Sequence, residues 1–413
     1  MDFEDTPEEA EFRAGVRAFL TKAAKPRAPG TGMVYRAGNE DAEFRKRAKA
    51  WQASKAEAGY AGITWPAHWG GRGGTPIQQV IYDQEEAKYA VPRGLFDIGL
   101  GMCIPTLCTW GTQEHRDRFA RTALRGEEIW CQLFSEPAAG SDLAGLRTRA
   151  EPDGSDWIIN GEKIWTSGAH YCDYGVLVTR SDFSAKKHEG MTYFFLDMRS
   201  PGLEIRPIRQ MSGASHFNQV FFKDVRVPDS QRLGAVGEGW KVALTTLMNE
   251  RHTIGARIGV GVEDIFELAR RLEIGDGPAL KNGAVRDKLA DWYVASQGLK
   301  YANFRAMTAL SRGETPGPQA SLGKLVNASM LQNIAAFAMD LMEEGGVLCD
   351  PELAPLAAAF QQTLLTSPAS RIAGGSDEIM RNIIAERVLG LPAEVRMDKS
   401  LPFNQLPTGK RER

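Results

Sequence analysis

The sequence predicts an α+β fold in three parts: an N-terminal α-helical domain, a central small β-domain and a C-terminal four-helix bundle. Helical periodicity with capping signals runs from the start to about Arg125. From Ile129 the pattern changes to short apolar stretches broken by Gly, Pro and Ser. After Gly237-Glu238-Gly239 the helical period returns and holds to about Leu391. The corresponding segments are 1–128, 129–236 and 237–394, followed by a polar tail at 395–413 that is expected to be loosely held.

At the N-terminus, Thr6-Pro7-Glu8-Glu9 supplies a capping threonine, a proline at the first helical position and a glutamate for a capping box. Phe12, Val16 and Phe19 then share one face. Thr75-Pro76-Ile77-Gln78 repeats the signal. Between them, residues 62–74 hold Trp65, Pro66, Trp69 and five glycines, a turn-rich connection rather than a linker. In the middle segment Trp157-Ile158-Ile159, Asn160-Gly161 and Lys163-Ile164-Trp165 predict two strands joined by a tight Asn-Gly turn. Further strands are expected at Val176–Thr179, Thr192–Leu196, Leu203–Ile208 and Val220–Val227. Helices are expected near 240–272, 281–312, 318–344 and 376–389, with breaks such as Gly313-Glu314-Thr315-Pro316-Gly317. Long helices with short connections predict an antiparallel bundle.

Composition narrows the function classes. A chain of 413 residues is longer than one core usually fills, and 43% apolar with 25% charged residues excludes long disorder. The formal charge of -2, with no local basic patch, excludes a nucleic-acid role. No stretch has the length of a membrane span, and the opening Met1-Asp2-Phe3-Glu4-Asp5 is the reverse of a basic signal peptide, so the cytosol is the expected compartment. The five cysteines, Cys103, Cys108, Cys131, Cys172 and Cys349, form no CxxC pair and read as reduced thiols. Cys103 and Cys108 read as core residues and no metal site is expected.

One decapeptide stands at the junction of the first two parts: Leu133-Phe134-Ser135-Glu136-Pro137-Ala138-Ala139-Gly140-Ser141-Asp142. Alone it reads as a strand entering a turn with an Asx cap. Backbone N–H groups and hydroxyls without bulky neighbours also suit the polar edge of a flat heterocycle or a phosphate, which makes Ser135 and Ser141 candidates for ligand contact.

This decapeptide, the segment Asn160-Gly161-Glu162-Lys163-Ile164-Trp165-Thr166-Ser167 and the late run Ile372-Ala373-Gly374-Gly375-Ser376-Asp377-Glu378-Ile379-Met380-Arg381 together resemble the acyl-CoA dehydrogenase family. The likeness covers roughly residues 1–392, with the motifs in the family's order. It implies FAD as cofactor and removal of two hydrogens from Cα and Cβ of an acyl-CoA. It also implies that Gln132, Phe134, Ser135, Gly140 and Ser141 lie along the flavin and its pyrophosphate, with Ser141 also near the CoA arm. Trp165, Thr166 and Ser167 match the segment beside the isoalloxazine on the face away from substrate; a core tryptophan in a hairpin is the competing reading of Trp165. Gly375, Ser376 and Glu378 match the loop that meets the adenosine half of FAD, often that of a neighbouring subunit, so a homodimer or homotetramer is implied. Arg271 is the candidate for the pyrophosphate, although Arg270 and Arg271 at a helix C-terminus also suit the dipole.

The base needs a carboxylate. Many family members carry it just before the Gly-Thr/Ser of the late loop, where this chain has Gly374. Another branch carries a Glu-Arg pair on the first bundle helix, which here is Glu250-Arg251. Glu250 lies three positions after Leu247 and four before Ile254, on the apolar stripe, where partial desolvation raises a carboxyl pKa toward that of a working base. Glu250 is therefore the candidate catalytic base, with Ser141, Arg251 and Gly374 on the substrate side. A glutamate neutralised by a buried arginine is the bland reading of the pair, His252 is the alternative base, and Glu136 and Asp142 read as turn-capping residues. The implied reaction turns an acyl-CoA into its trans-2-enoyl-CoA and passes electrons to electron-transfer flavoprotein or a similar acceptor. The acyl group stays open, steroid side chains as much as fatty acids. An oxidase or monooxygenase on the same fold, and a non-catalytic subunit of a heteromer with a paralogue, stand as alternatives.

Overall fold

The computed structural model describes residues 5–27, 41–253, 260–311, 317, 320–393, 395, 398 and 401–406, without the side chains of 250–253, 307, 310, 311 and 320. By its contacts the chain forms two compact units. One takes residues 1–37, 73–91 and 256–393; the other takes 38–72, 92–255 and 394–413.

The second unit is built on an eight-stranded sheet. Its strands are β1 (Trp130–Leu133), β2 (Arg149–Asp153), β3 (Asp156–Ser167), β4 (Tyr174–Arg180), β5 (Met191–Asp197), β6 (Leu203–Ile208), β7 (Phe217–Pro228) and β8 (Arg232–Leu233). They run in the order β6-β7-β3-β2-β4-β5-β8, with β1 pairing parallel to β4. Both sheet faces are covered, and alternation along β4 and β5 shows how. Val176, Val178, Tyr193 and Phe195 belong to one apolar cluster, Leu177, Phe194 and Leu196 to the other. Helices α4 (Ile104–Trp110), α5 (Gln113–Leu124) and α6 (Gly239–Thr253) close the first cluster through Leu107, Phe119 and Val242. Helix α2 (Ala42–Glu57) adds Ala48 to the second.

The first unit gathers α1 (Pro7–Ala23) and α3 (Pro76–Glu86) with α7 (Val262–Arg271), α8 (Gly283–Ser311), α9 (Ala320–Met342), α10 (Ala359–Ser370) and α11 (Asp377–Ile383). A two-residue hairpin of β9 (Glu273–Ile274) and β10 (Gly277–Pro278) follows α7. Both expected capping boxes are present, Thr6 with Glu9 and Thr75 with Gln78.

Three expectations are corrected. Asn160-Gly161 is no hairpin turn: β3 runs straight through it, and Gly161 sits at φ 145° in a register shift against β7. A Cβ there would lie 2.7 Å from the Thr148 Cα, so the glycine serves close strand approach. The turn is instead Gly154-Ser155, between β2 and β3. The segment expected near 240–272 contains two helices, α6 and α7, and α10 was hidden among Pro351, Pro355 and Pro368. The tail is held at Phe403, which is 2% exposed.

Candidate active site

Past β1 the chain turns at Glu136, which exchanges both backbone hydrogen bonds with Ala139 at 3.0 Å. Gln132 is half-buried within β1, and Phe134 packs edge-on to Tyr193 with centroids 5.9 Å apart. The Ser135 carbonyl accepts from the Ile164 N–H at 2.8 Å, and the Phe134 carbonyl accepts from Lys163 Nζ at 3.0 Å. The strand end is therefore tied to β3 immediately before Trp165.

Lys163 is wholly buried and meets Glu136 Oε1 at 2.8 Å. The Glu136 carboxylate also accepts from the N–H groups of Arg147 at 2.6 Å and Thr148 at 2.9 Å. Burial works to raise the Glu136 pKa, but the Lys163 charge and these bonds outweigh it and hold the carboxyl below its ordinary value. Burial pulls Lys163 below its own ordinary value against the attraction of Glu136. The capping role expected for Glu136 is therefore corrected: backbone bonds alone close its turn, while its carboxylate reaches Arg147 and Thr148 and anchors a buried ion pair that the sequence reading missed. The available signal was a lysine on the inward phase of a strand, two positions from Gly161 and four from Ile159.

Between Lys163 and Thr166 the pairing with β7 slips, and Trp165 takes φ 61°. Such a bulge re-aims a side chain, and a bulky residue at positive φ is strained. The indole is 56% exposed and meets the edge of Phe217 at 6.0 Å between centroids. The core-tryptophan reading therefore fails: a flat aromatic face is held outward. Thr166 turns inward at 1% exposure, and its hydroxyl has no hydrogen-bond partner among the described residues. A buried hydroxyl without a partner is rare in a finished interior. The exposed aromatic face of Trp165 fits one face of an FAD isoalloxazine. Ser167 continues the strand, paired with Phe217. Gly140 and Ser141 are exposed, and a Cβ added to Gly140 would meet nothing within 4 Å, so the backbone there is open to a ligand.

Helix α6 is fixed against this sheet by hydroxyls. Thr246, fully buried, is 2.9 Å from the Tyr193 hydroxyl and 3.0 Å from that of Thr106, and Trp110 Nε1 donates to Thr245 at 2.9 Å. Glu250 follows Thr246 by four positions in the same helix. Its side chain, with those of Arg251 and His252, and the position of Ile254 lie outside the described residues, so the apolar-stripe placement is not part of this geometry.

In the other unit, Gly374 and Gly375 take φ 66° and 96°, and a Cβ on Gly375 would lie 2.5 Å from the Met380 methyl. Their loop is pinned from α9 and from its own ends. Lys324 Nζ donates to the Gly375 carbonyl, and Arg371 donates to Asp377 at 2.6 Å and to Gln332 at 3.0 Å. Ser376 caps α11, its hydroxyl accepting from the Ile379 N–H at 3.4 Å, and Glu378 is exposed. Lys324, Arg371 and Asp377 went unnoticed in the sequence because their partners are remote or lie across a turn. Arg271 is exposed and engaged by Glu267 at 2.8 Å.

Three family models match the chain in order: the N-terminal domain of acyl-CoA dehydrogenase at residues 6–127, its middle domain at 131–225 and its C-terminal domain at 237–389. Acyl-CoA dehydrogenase FadE34 of Mycobacterium tuberculosis is 39% identical over 343 residues, which are 83% of this chain and 46% of that protein. The chain thus spans about half the length of that relative. Acyl-CoA dehydrogenase IpdE1 of the same organism is 37% identical over 94% of this chain and 98% of its own length. A solved structure described as "Tcur3481-Tcur3483 steroid ACAD" superposes with a TM-score of 0.79 at 26% identity, covering 95% of this chain and 100% of that one.

Proposed function

The chain belongs to the acyl-CoA dehydrogenase family, and we propose that it oxidises a bulky, ring-bearing acyl-CoA on the flavin face opposite Trp165, with Glu250 as the base. The reaction of the family is FAD-dependent α,β-dehydrogenation of an acyl-CoA thioester to the trans-2-enoyl-CoA. The observation that carries the reading is the indole of Trp165, held outward at positive φ on a strand bulge. The ring-bearing acyl group is supported by the similar structure's description as a steroid acyl-CoA dehydrogenase.

Gln132, Phe134, Ser135, Gly140, Ser141, Trp165, Thr166 and Ser167 would hold the flavin and its pyrophosphate, with Gly375, Ser376, Glu378 and Arg271 on the adenosine side. When bound, FAD supplies the acceptor for the hydride from Cβ. Glu250 takes the Cα proton, and hydrogen bonds to the thioester carbonyl make that proton acidic. Arg251 and Ser141 serve the substrate, and Gly374 leaves vacant the place where other members carry the base. Electrons pass to electron-transfer flavoprotein or a similar acceptor. The working assembly is at least a dimer, of identical chains or with a paralogue, and light scattering that finds an active FAD-loaded monomer would contradict this. Among the described residues no helix is long and apolar enough to cross a membrane.

Anaerobic mixing with a panel of acyl-CoA thioesters tests the reading by the bleaching of flavin absorbance. Steroid-derived thioesters are expected to bleach it fastest and free acids not at all, and equal turnover of a free acid would favour an oxidase. Glu250→Gln should slow flavin reduction roughly 10²–10⁴-fold with FAD retained. A wild-type rate in that variant moves the base elsewhere, with His252 next in line.

A further inference from the structure

The polar tail contains one buried aromatic, Phe403, and its surroundings converge on the turn that carries Ser141. The Phe403 N–H donates to the Ala185 carbonyl at 2.9 Å and the Asn404 N–H to the Phe183 carbonyl at 2.9 Å, so the tail lies along the loop between β4 and β5. The ring covers Arg180, whose guanidinium carbon is 3.5 Å from its centroid, and Arg147 approaches to 5.1 Å. Arg180 is fully buried, and its hydrogen bonds go to carbonyls. It donates to Ala144 at 2.7 Å, Leu146 at 3.1 Å and Lys187 at 3.0 Å. An aromatic face stabilises a cation more strongly where water is excluded. Phe403 therefore holds Arg180 in place, and Arg180 holds the backbone of residues 144–146.

A second route reaches the same turn. Lys187 Nζ is bound by Asp398 of the tail at 2.5 Å and by Asp142 at 2.8 Å. Asp142 follows Ser141 directly, and Gly145 closes the turn by donating its N–H to the Asp142 carbonyl at 2.8 Å. One route is aromatic and the other ionic, and each begins in the tail.

We propose that Asp398 and residues 401–406 serve as a C-terminal strap that sets the Gly140-Ser141-Asp142 turn for the phosphate-bearing arm of the acyl-CoA. Phe403 and Asp398 are positioning residues that act through Arg180 and Lys187. The proposal rests on the assignment of Ser141 to the CoA arm and adds a part of the chain that has no role in that assignment.

The test uses the full-length flavoprotein and its Phe403→Ala and Asp398→Asn variants. Two quantities are read: hydrogen exchange at the amides of Gly145 and Leu146, and calorimetric affinity for free CoA beside the kinetic constants for the best thioester. Expected are faster exchange in both variants and a weakening of CoA affinity and rise in KM of about tenfold for Phe403→Ala and about threefold for Asp398→Asn. The kcat should change less than about twofold, because a binding element is loosened and the reacting centre is not. Unchanged exchange overturns the strap, as does faster exchange with unchanged CoA affinity, which would make the contact merely structural. Phe403→Ala uncovers a buried cation, so if that variant fails to fold, Asp398→Asn, which leaves Arg180 covered, decides alone. A wild-type protein that binds no CoA overturns the functional reading and the strap with it, whereas binding that survives both substitutions overturns the strap only.

Discussion

Trp165 is the residue where local preference and function pull apart. A non-glycine residue at positive φ costs about 1–3 kcal/mol, and this one also leaves its indole largely in water. Trp165→Gly should therefore leave the FAD-free protein at least as heat-stable as wild type, since the strain is relieved and little packing is lost. The same change should weaken FAD binding about tenfold or more, because stacking on an aromatic face is worth about 1–3 kcal/mol. Thermal unfolding of the apoprotein and flavin titration check the two halves. A several-degree fall in the apoprotein midpoint with FAD affinity intact would mark Trp165 as a packing residue. At this scale a motif could single out Ser135, Trp165 and Thr166 as candidates, while the exposure of the indole and the idle Thr166 hydroxyl were not legible in it. Lys163 and Glu136 are 27 positions apart, and neither residue's neighbours in sequence announce that the two meet.

Elements were read well where their own ends carry the signal. The capping boxes at Thr6 and Thr75 marked the starts of α1 and α3 to the residue, because a cap is a contact between positions three apart. Asn160-Gly161 misled for the opposite reason: a glycine that looks like a turn was required by the approach of another strand. What holds α1 to α3 was equally invisible. Glu85 on α3 is 2% exposed and binds Arg13 and Arg17 of α1 at 3.0 Å each and Lys88 at 2.7 Å. Burial works to raise its pKa, but the three cations outweigh that and bring it from an ordinary 4.5 down to about 2. A carboxyl with a depressed folded-state pKa gives stability that is present above its unfolded value and lost as pH falls toward the folded one. The midpoint advantage of wild type over Glu85→Gln should accordingly be full at pH 6 and shrink steadily below about pH 4.5. A constant difference across that range would show that the cluster contributes packing rather than charge.

For the whole molecule, the order of helices, strands and helices was plain in the sequence, and the grouping of those segments was not. Residues 6–127 match one family domain, yet α1 and α3 pack in the unit with α7 to α11, while α2, α4 and α5 pack in the unit of the sheet. Periodicity tells which face of a helix is buried and is silent about what buries it. The consequence is testable by excision of the β-segment 129–236. Within its unit that segment buries Trp130, Val176, Val178, Tyr193 and Phe195 against Ile104, Leu107, Phe119 and Val242, all outside it. Taken alone it would expose a continuous apolar face, and the Tyr193 hydroxyl would lose Thr246. The excised segment should therefore bind a hydrophobic dye, lose its near-ultraviolet circular dichroism and associate, whereas residues 41–253 with residues 73–91 replaced by a short linker should retain the dichroism. A monomeric 129–236 fragment with native dichroism would show that the sheet needs neither α4 and α5 before it nor α6 after it.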